Sequence, residues 1–113
     1  MAAGKRSGKH PAKQRDPEDA LLHVLGHPLR KRLLRLYVEE KGMLSPKELA
    51  EFTKKHLSNV GYHVRVLAEQ GAVEIVAEQQ RRGSVEHFYE ATGLVDEVPW
   101  GRAALGIAGK ADL

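Results

Sequence analysis

Between His56 and Glu78 the apolar side chains change their spacing, and that change limits the folds open to the chain. In "HLSNVGYHVRVLAEQG" Val60, Val64 and Leu67 recur at intervals of four and three, which marks one side of a helix. Beyond Gly71, Val73, Ile75 and Ala77 interleave with Glu74, Val76 and Glu78, the two-residue period of a strand. Gly71 sits between the two patterns and accepts the left-handed conformation that ends many helices. A second strand-like run, "VEHFYEA" at 85–91, follows "QQRRGS", where Gly83 permits a tight reversal. The two runs are therefore predicted to form a hairpin with Arg81 and Arg82 at its tip.

Three helices are expected upstream. "DPEDALLHVLG" offers Asp16 as cap, Pro17 at the first helical position and acids in the first turn, for a short helix ending near Gly26. "HPLRKRLLRLYVEEKG" starts at Pro28, carries Leu29, Leu33, Leu36 and Tyr37 on one side, and is expected to stop at Gly42. "SPKELAEFTKKH" places Glu48 three residues after Ser45, a capping box, with Leu49, Ala50 and Phe52 as its inner face. Only a few residues separate this helix from the one holding Val60, so the pair is a helix-turn-helix candidate. With the hairpin it predicts a mainly α fold, a winged helix-turn-helix over residues 17–92. "TGLVDEVPWGRAALGIAGKADL" is rich in glycine, so residues 93–113 are expected to be an irregular tail with one short helix near Arg102–Leu105.

Charge narrows the partners. Lys5, Arg6, Lys9, Lys13 and Arg15 fall in a segment with no acid before Asp16 and no large apolar run, so residues 1–16 are expected to be a disordered basic arm. The net charge of +3 and pI near 9.3 favour polyanions without naming one. With no cysteine there is no disulfide, thiolate metal site or cysteine nucleophile. No run is long enough to span a bilayer, and the expected location is the cytoplasm, away from membranes. His23 and His27 stand four apart but straddle a predicted helix end with no further ligand nearby, so packing or capping is expected and no metal site. No nucleophile-and-base set, phosphate loop or acid pair appears, so neither catalytic residues nor a cofactor are expected and the chain is not read as an enzyme.

If Val60, Val64 and Leu67 are buried, the other side of their helix presents Ser58, Asn59, Tyr62, Arg65 and Glu69. That side begins without an acid, which suits base edges. Asn and Arg form paired hydrogen bonds with purines, Ser adapts to several edges, and Tyr reaches a phosphate or stacks. Lys54 and Lys55 would flank the helix entry and hold phosphates, while Arg81 and Arg82 would reach the backbone or minor groove from the hairpin. Arg30, Lys31, Arg32 and Arg35 read as a charged face of the second helix. Gly61 weakens its helix by about 1 kcal/mol relative to Ala. Two explanations stand: close approach to another surface, or simple tolerance.

"LGHPLRKRLLRLY", "SPKELAE", "SNVGYHVRVLAEQGAVEIV" and "RRGSVEHFYEAT", in that order, resemble the winged helix-turn-helix of the ArsR-like bacterial transcription regulators over about residues 19–92. The likeness is greatest to the branch whose recognition helices read Ser-Asn-Val-Ser-Tyr-His. It implies that Ser58, Asn59, Tyr62, His63 and Arg65 contact bases, that Arg81 and Arg82 lie in the wing, and that His27 and Pro28 hold a structural position. Departures are Lys54 in the turn and His56-Leu57 at the helix start, where the family often has Gly and Ser-Pro. Neither the Cys-x-Cys motif nor the Asp/His set of metal-sensing members is present. Many members also carry a final dimer-forming helix; here dimerisation would fall to the first helix, the tail around Trp100, or both. The resulting expectation is a sequence-specific, double-stranded DNA-binding regulator, a homodimeric repressor on a two-fold operator, with no effector named. A winged-helix module that docks proteins without specific DNA binding is the rival reading.

Overall fold

The structure, a computed structural model, describes residues 16–107. The expected basic arm, apart from Asp16, and the end of the expected tail lie outside the described residues. The first three helices begin where a side chain satisfies a first-turn N–H group. The Asp16 carboxylate accepts from the Glu18 N–H at 3.1 Å and opens α1, Pro17–Val24. The His27 ring does the same for α2, Pro28–Glu40, its Nδ1 accepting from Leu29 at 3.2 Å. Helix α3, Pro46–Thr53, has the full capping box: Ser45 Oγ accepts from the Glu48 N–H while the Glu48 carboxylate accepts from the Ser45 N–H.

One helix end differs from expectation in the residue that turns left-handed. Lys41, with φ 56°, ends α2 in place of Gly42, and Lys54, with φ 62°, ends α3. Phe52 is not on the inner face of α3 but 65% exposed. Leu49 and Thr53, four apart, point inward together, and a residue between them falls to the side. Helix α4 spans Leu57–Glu69 and ends as expected, with Gly71 at φ 79° and the Ala72 N–H bonded to Leu67 O at 2.9 Å.

Strands β1, Val73–Arg81, and β2, Ser84–Ala91, pair antiparallel through a two-residue turn at Arg82-Gly83, where Gly83 has φ +76°. A bulge between Ile75 and Ala77 interrupts the register: Ile75 pairs with Tyr89 and Ala77 with Phe88, so the two lie on opposite faces rather than the one the alternation suggests. Leu44 adds a short third strand segment, exchanging backbone hydrogen bonds with Tyr89 at 2.9 and 3.0 Å. The Tyr37 hydroxyl donates to Leu44 O at 2.9 Å, and burial pushes its ionisation far above the ordinary tyrosine value.

Leu21, Val24, Leu33, Leu34, Leu49, Val60, Val64 and Leu67 meet in one core under the four helices. That core does not stop at Thr92. Leu94, Val95, Val98 and Leu105 are buried in it, carried by a 3₁₀ turn at Leu94–Glu97 and a short helix α5, Gly101–Leu105. The stretch expected to be a loose tail is thus a lid on the domain as far as Leu105. A β-carbon on Gly101 would collide with the backbone oxygen of Val95, so this glycine permits close packing rather than looseness. Arg102 pairs with Asp96 across the lid at 2.8 Å.

Candidate nucleic-acid interface

Helix α4 packs on α2, α3 and β1 through Val60, Val64 and Leu67, all fully buried. Its remaining circumference is set by that anchoring. Ser58, Asn59, Tyr62 and Arg65 are exposed, Tyr62 at 53%, and the structure brings these four residues onto the open side of one helix. His63 is not among them. It is 5% exposed and turned toward α2, so the base-contact role implied for it by resemblance does not fit its place in the fold. One residue past Tyr62, it falls about 100° further around the helix, on the side of Val60 and Val64.

What His63 meets is Arg30, a residue that the sequence had grouped with the solvated cations of α2. Arg30 is 9% exposed. Its Nε donates to Val24 O at 3.1 Å and Nη2 to His23 O at 3.0 Å, both carbonyls at the end of α1. Its Nη1 lies 3.3 Å from His63 Nδ1. A guanidinium can only donate, so Nδ1 accepts and the imidazole is neutral, with its proton on Nε2. Burial, then His27 and then Arg30, push the His63 pKa below its ordinary 6.5. The His27 ring lies beside it, tilted by 42°, with centroids 4.2 Å apart. One guanidinium therefore ties the end of α1 to the buried side of α4. The signal was present in the spacing: position 30 stands three and four residues before Leu33 and Leu34, on the apolar stripe.

The start of α4 is electropositive. No side chain caps it and its first turn holds no acid, so its unpaired N–H groups keep the positive end of the helix dipole. Lys54, Lys55 and His56 are exposed just before it, Lys54 held there by its left-handed backbone. On the hairpin, Arg82 is exposed at the tip, whereas Arg81 is engaged: its Nε lies 2.7 Å from Glu86 Oε1. Glu86 also accepts from the hydroxyl of Ser45, the α3 cap. The Ser45 hydrogen bond, with Arg81 next, holds the Glu86 carboxyl below the usual range. Wing and helix-turn-helix are thereby joined through one carboxylate.

Two short helices meeting at a tight turn, the second with its outer side bare, followed by a hairpin, constitute a winged helix-turn-helix. Residues 25–76 match a protein family described as a helix-turn-helix domain. The matched helix-turn-helix segment runs from the end of α1 into β1 and includes Lys54, Lys55 and the whole of α4. Domains of this kind point to DNA as the partner and to a regulatory role. No curated protein matched the chain. Among the described residues no helix is long and apolar enough to cross a membrane, and no group of three or more His, Cys, Asp or Glu is placed to hold a metal ion. His27, one of the pair weighed as a ligand, serves as the cap of α2.

Proposed function

We propose that the protein is a sequence-specific regulator of the ArsR-like kind that binds double-stranded DNA as a homodimer and represses transcription from the cytoplasm by occupying a two-fold operator. The observation that carries this reading is the side of α4 that the core leaves bare. Ser58, Asn59, Tyr62 and Arg65 stand there without an acid in the first turn, behind Lys54 and Lys55. Asn59 and Arg65 read base edges in the major groove, and Ser58 and Tyr62 complete the register. Lys54, Lys55 and Arg82 hold phosphates. Arg81 joins them by giving up Glu86. Leu22, more than half exposed on α1, supports dimerisation on that helix.

Selection of bound duplexes from a random pool at physiological salt tests the reading, and a palindromic winner is the expected result. Asn59→Ala should then flatten discrimination between sites, whereas Arg81→Ala with Arg82→Ala should weaken every duplex and lower the salt slope by about 2. Equal losses on all sequences in both variants would contradict the division into readers and holders. Exposed Ile75, Val76 and Val85 favour the rival reading, a hairpin that docks a protein. Its mark is duplex affinity no better than about 10⁻⁴ to 10⁻⁶ M for every sequence.

A further inference from the structure

The bare side of α4 is not uniformly polar. Leu57, its first residue, is 52% exposed, a large apolar side chain directly after Lys54, Lys55 and His56. One turn further on, Gly61 carries no side chain, and a β-carbon built there would meet no atom of the described residues within 4 Å. Among the described residues, no packing contact calls for glycine at a position where it weakens the helix. Residues four apart stand one above the other, so Leu57 and Gly61 form an apolar knob and an open gap on the same flank. Ser58 and Arg65 border that gap, and the surrounding charge is positive, complementary to a polyanion rather than to an apolar protein face.

Among base edges in the major groove, one presents an apolar group: thymine, with its 5-methyl. Granting that α4 enters a duplex groove, we propose that Leu57 and the Gly61 gap seat the 5-methyl group of a thymine, making thymine at that step a determinant of site choice. The methyl packs against the leucine, and the missing side chain lets the base edge come close to the helix backbone.

The test uses the full chain and the duplex recovered from the random pool. Each thymine is replaced in turn by uracil, which removes the methyl and leaves every hydrogen-bonding atom in place. One replacement in a single half-site should weaken the unmodified protein about fourfold, equal to ~0.8 kcal/mol at about 1.4 kcal/mol per tenfold. Leu57→Ala should bind the thymine and uracil duplexes equally. Gly61→Leu should melt at a higher temperature than the unmodified protein, because the space is open and leucine favours helix, yet bind the thymine duplex at least tenfold more weakly. Opposite changes in stability and affinity are not expected of a residue with a purely structural role. Failure to recover any preferred duplex would remove the groove-facing reading and this inference with it. Recovery of one whose affinity ignores every uracil, or equal uracil sensitivity in Leu57→Ala, would overturn the methyl seat alone, as would unchanged affinity in Gly61→Leu.

Discussion

Replacing Arg30 by methionine keeps most of the buried aliphatic stem and removes the guanidinium. With it go the hydrogen bonds to Val24 O, His23 O and His63 Nδ1. Hydrogen bonds from a charged donor contribute about 1.5–3 kcal/mol each, but they are not additive, and their partners are affected unequally. The His23 carbonyl keeps the N–H of Gly26 at 3.2 Å, whereas the Val24 carbonyl is deprived of its side-chain donor in a buried setting. Relief of the cost of burying the cation offsets part of the loss. A net destabilisation of roughly 3 kcal/mol follows, a large share of the ~5–15 kcal/mol available to a domain this size. At about 4–8 °C per kcal/mol, Tm should fall by roughly 12–24 °C. Urea unfolding followed by far-UV circular dichroism at about pH 7.5 measures the loss directly. The same titration at lower pH adds an independent check. His63 has a depressed folded pKa, so below 6.5 the unfolded chain takes up a proton that the native fold resists. Stability therefore declines as pH falls from 6.5 toward the lower folded value, and is constant with respect to this group above that window. Arg30→Met removes one of the causes of the shift, so its decline should be shallower. A loss under about 1 kcal/mol at neutral pH, with an unaltered acid slope, would refute the guanidinium as the tie between α1 and α4.

Other outcomes follow from the same network of side chains. Ser45→Ala should cost about 1 kcal/mol through loss of the α3 cap, seen as a lower urea midpoint. It also deprives Glu86 of the main cause of its depressed pKa; that carboxylate contributes above its ordinary 4.5 and ceases to as pH falls through the lower folded value. The deficit of Ser45→Ala should therefore be largest at neutral pH and shrink in acid. Gly101→Ala should destabilise by roughly 1–3 kcal/mol because the added carbon meets the Val95 backbone, and thermal melting would show it; an unchanged Tm would mean that the lid is not packed on the core.

Cap chemistry and hydrophobic period were legible from the chain alone because both are local. Asp16, Ser45 with Glu48, Pro17, Pro28 and Pro46 act within four residues of themselves, and each marks a helix start in the structure. Val60, Val64 and Leu67 identified the buried side of α4, and from it the exposed one, by geometry that any helix obeys. Glycine misled twice. Gly42 stood beside the left-handed residue rather than at it, and the glycine content after Thr92 suggested looseness where Gly101 enables close packing. The candidate interface was legible at Ser58, Asn59, Tyr62 and Arg65, which follow from the anchoring of one helix.

By itself, then, the sequence determined the order of elements, their caps and the bare side of α4, since those depend on residues close together along the chain. Tertiary structure alone decided what distant residues do to one another. It placed Arg30 against His63 and the end of α1, engaged Arg81 through Glu86 with Ser45, shifted the β1 register at Ile75, and laid Leu94 to Leu105 over the core. A charged side chain reads the same in sequence whether it meets water or a buried carbonyl. Only the folded chain brings that carbonyl within reach.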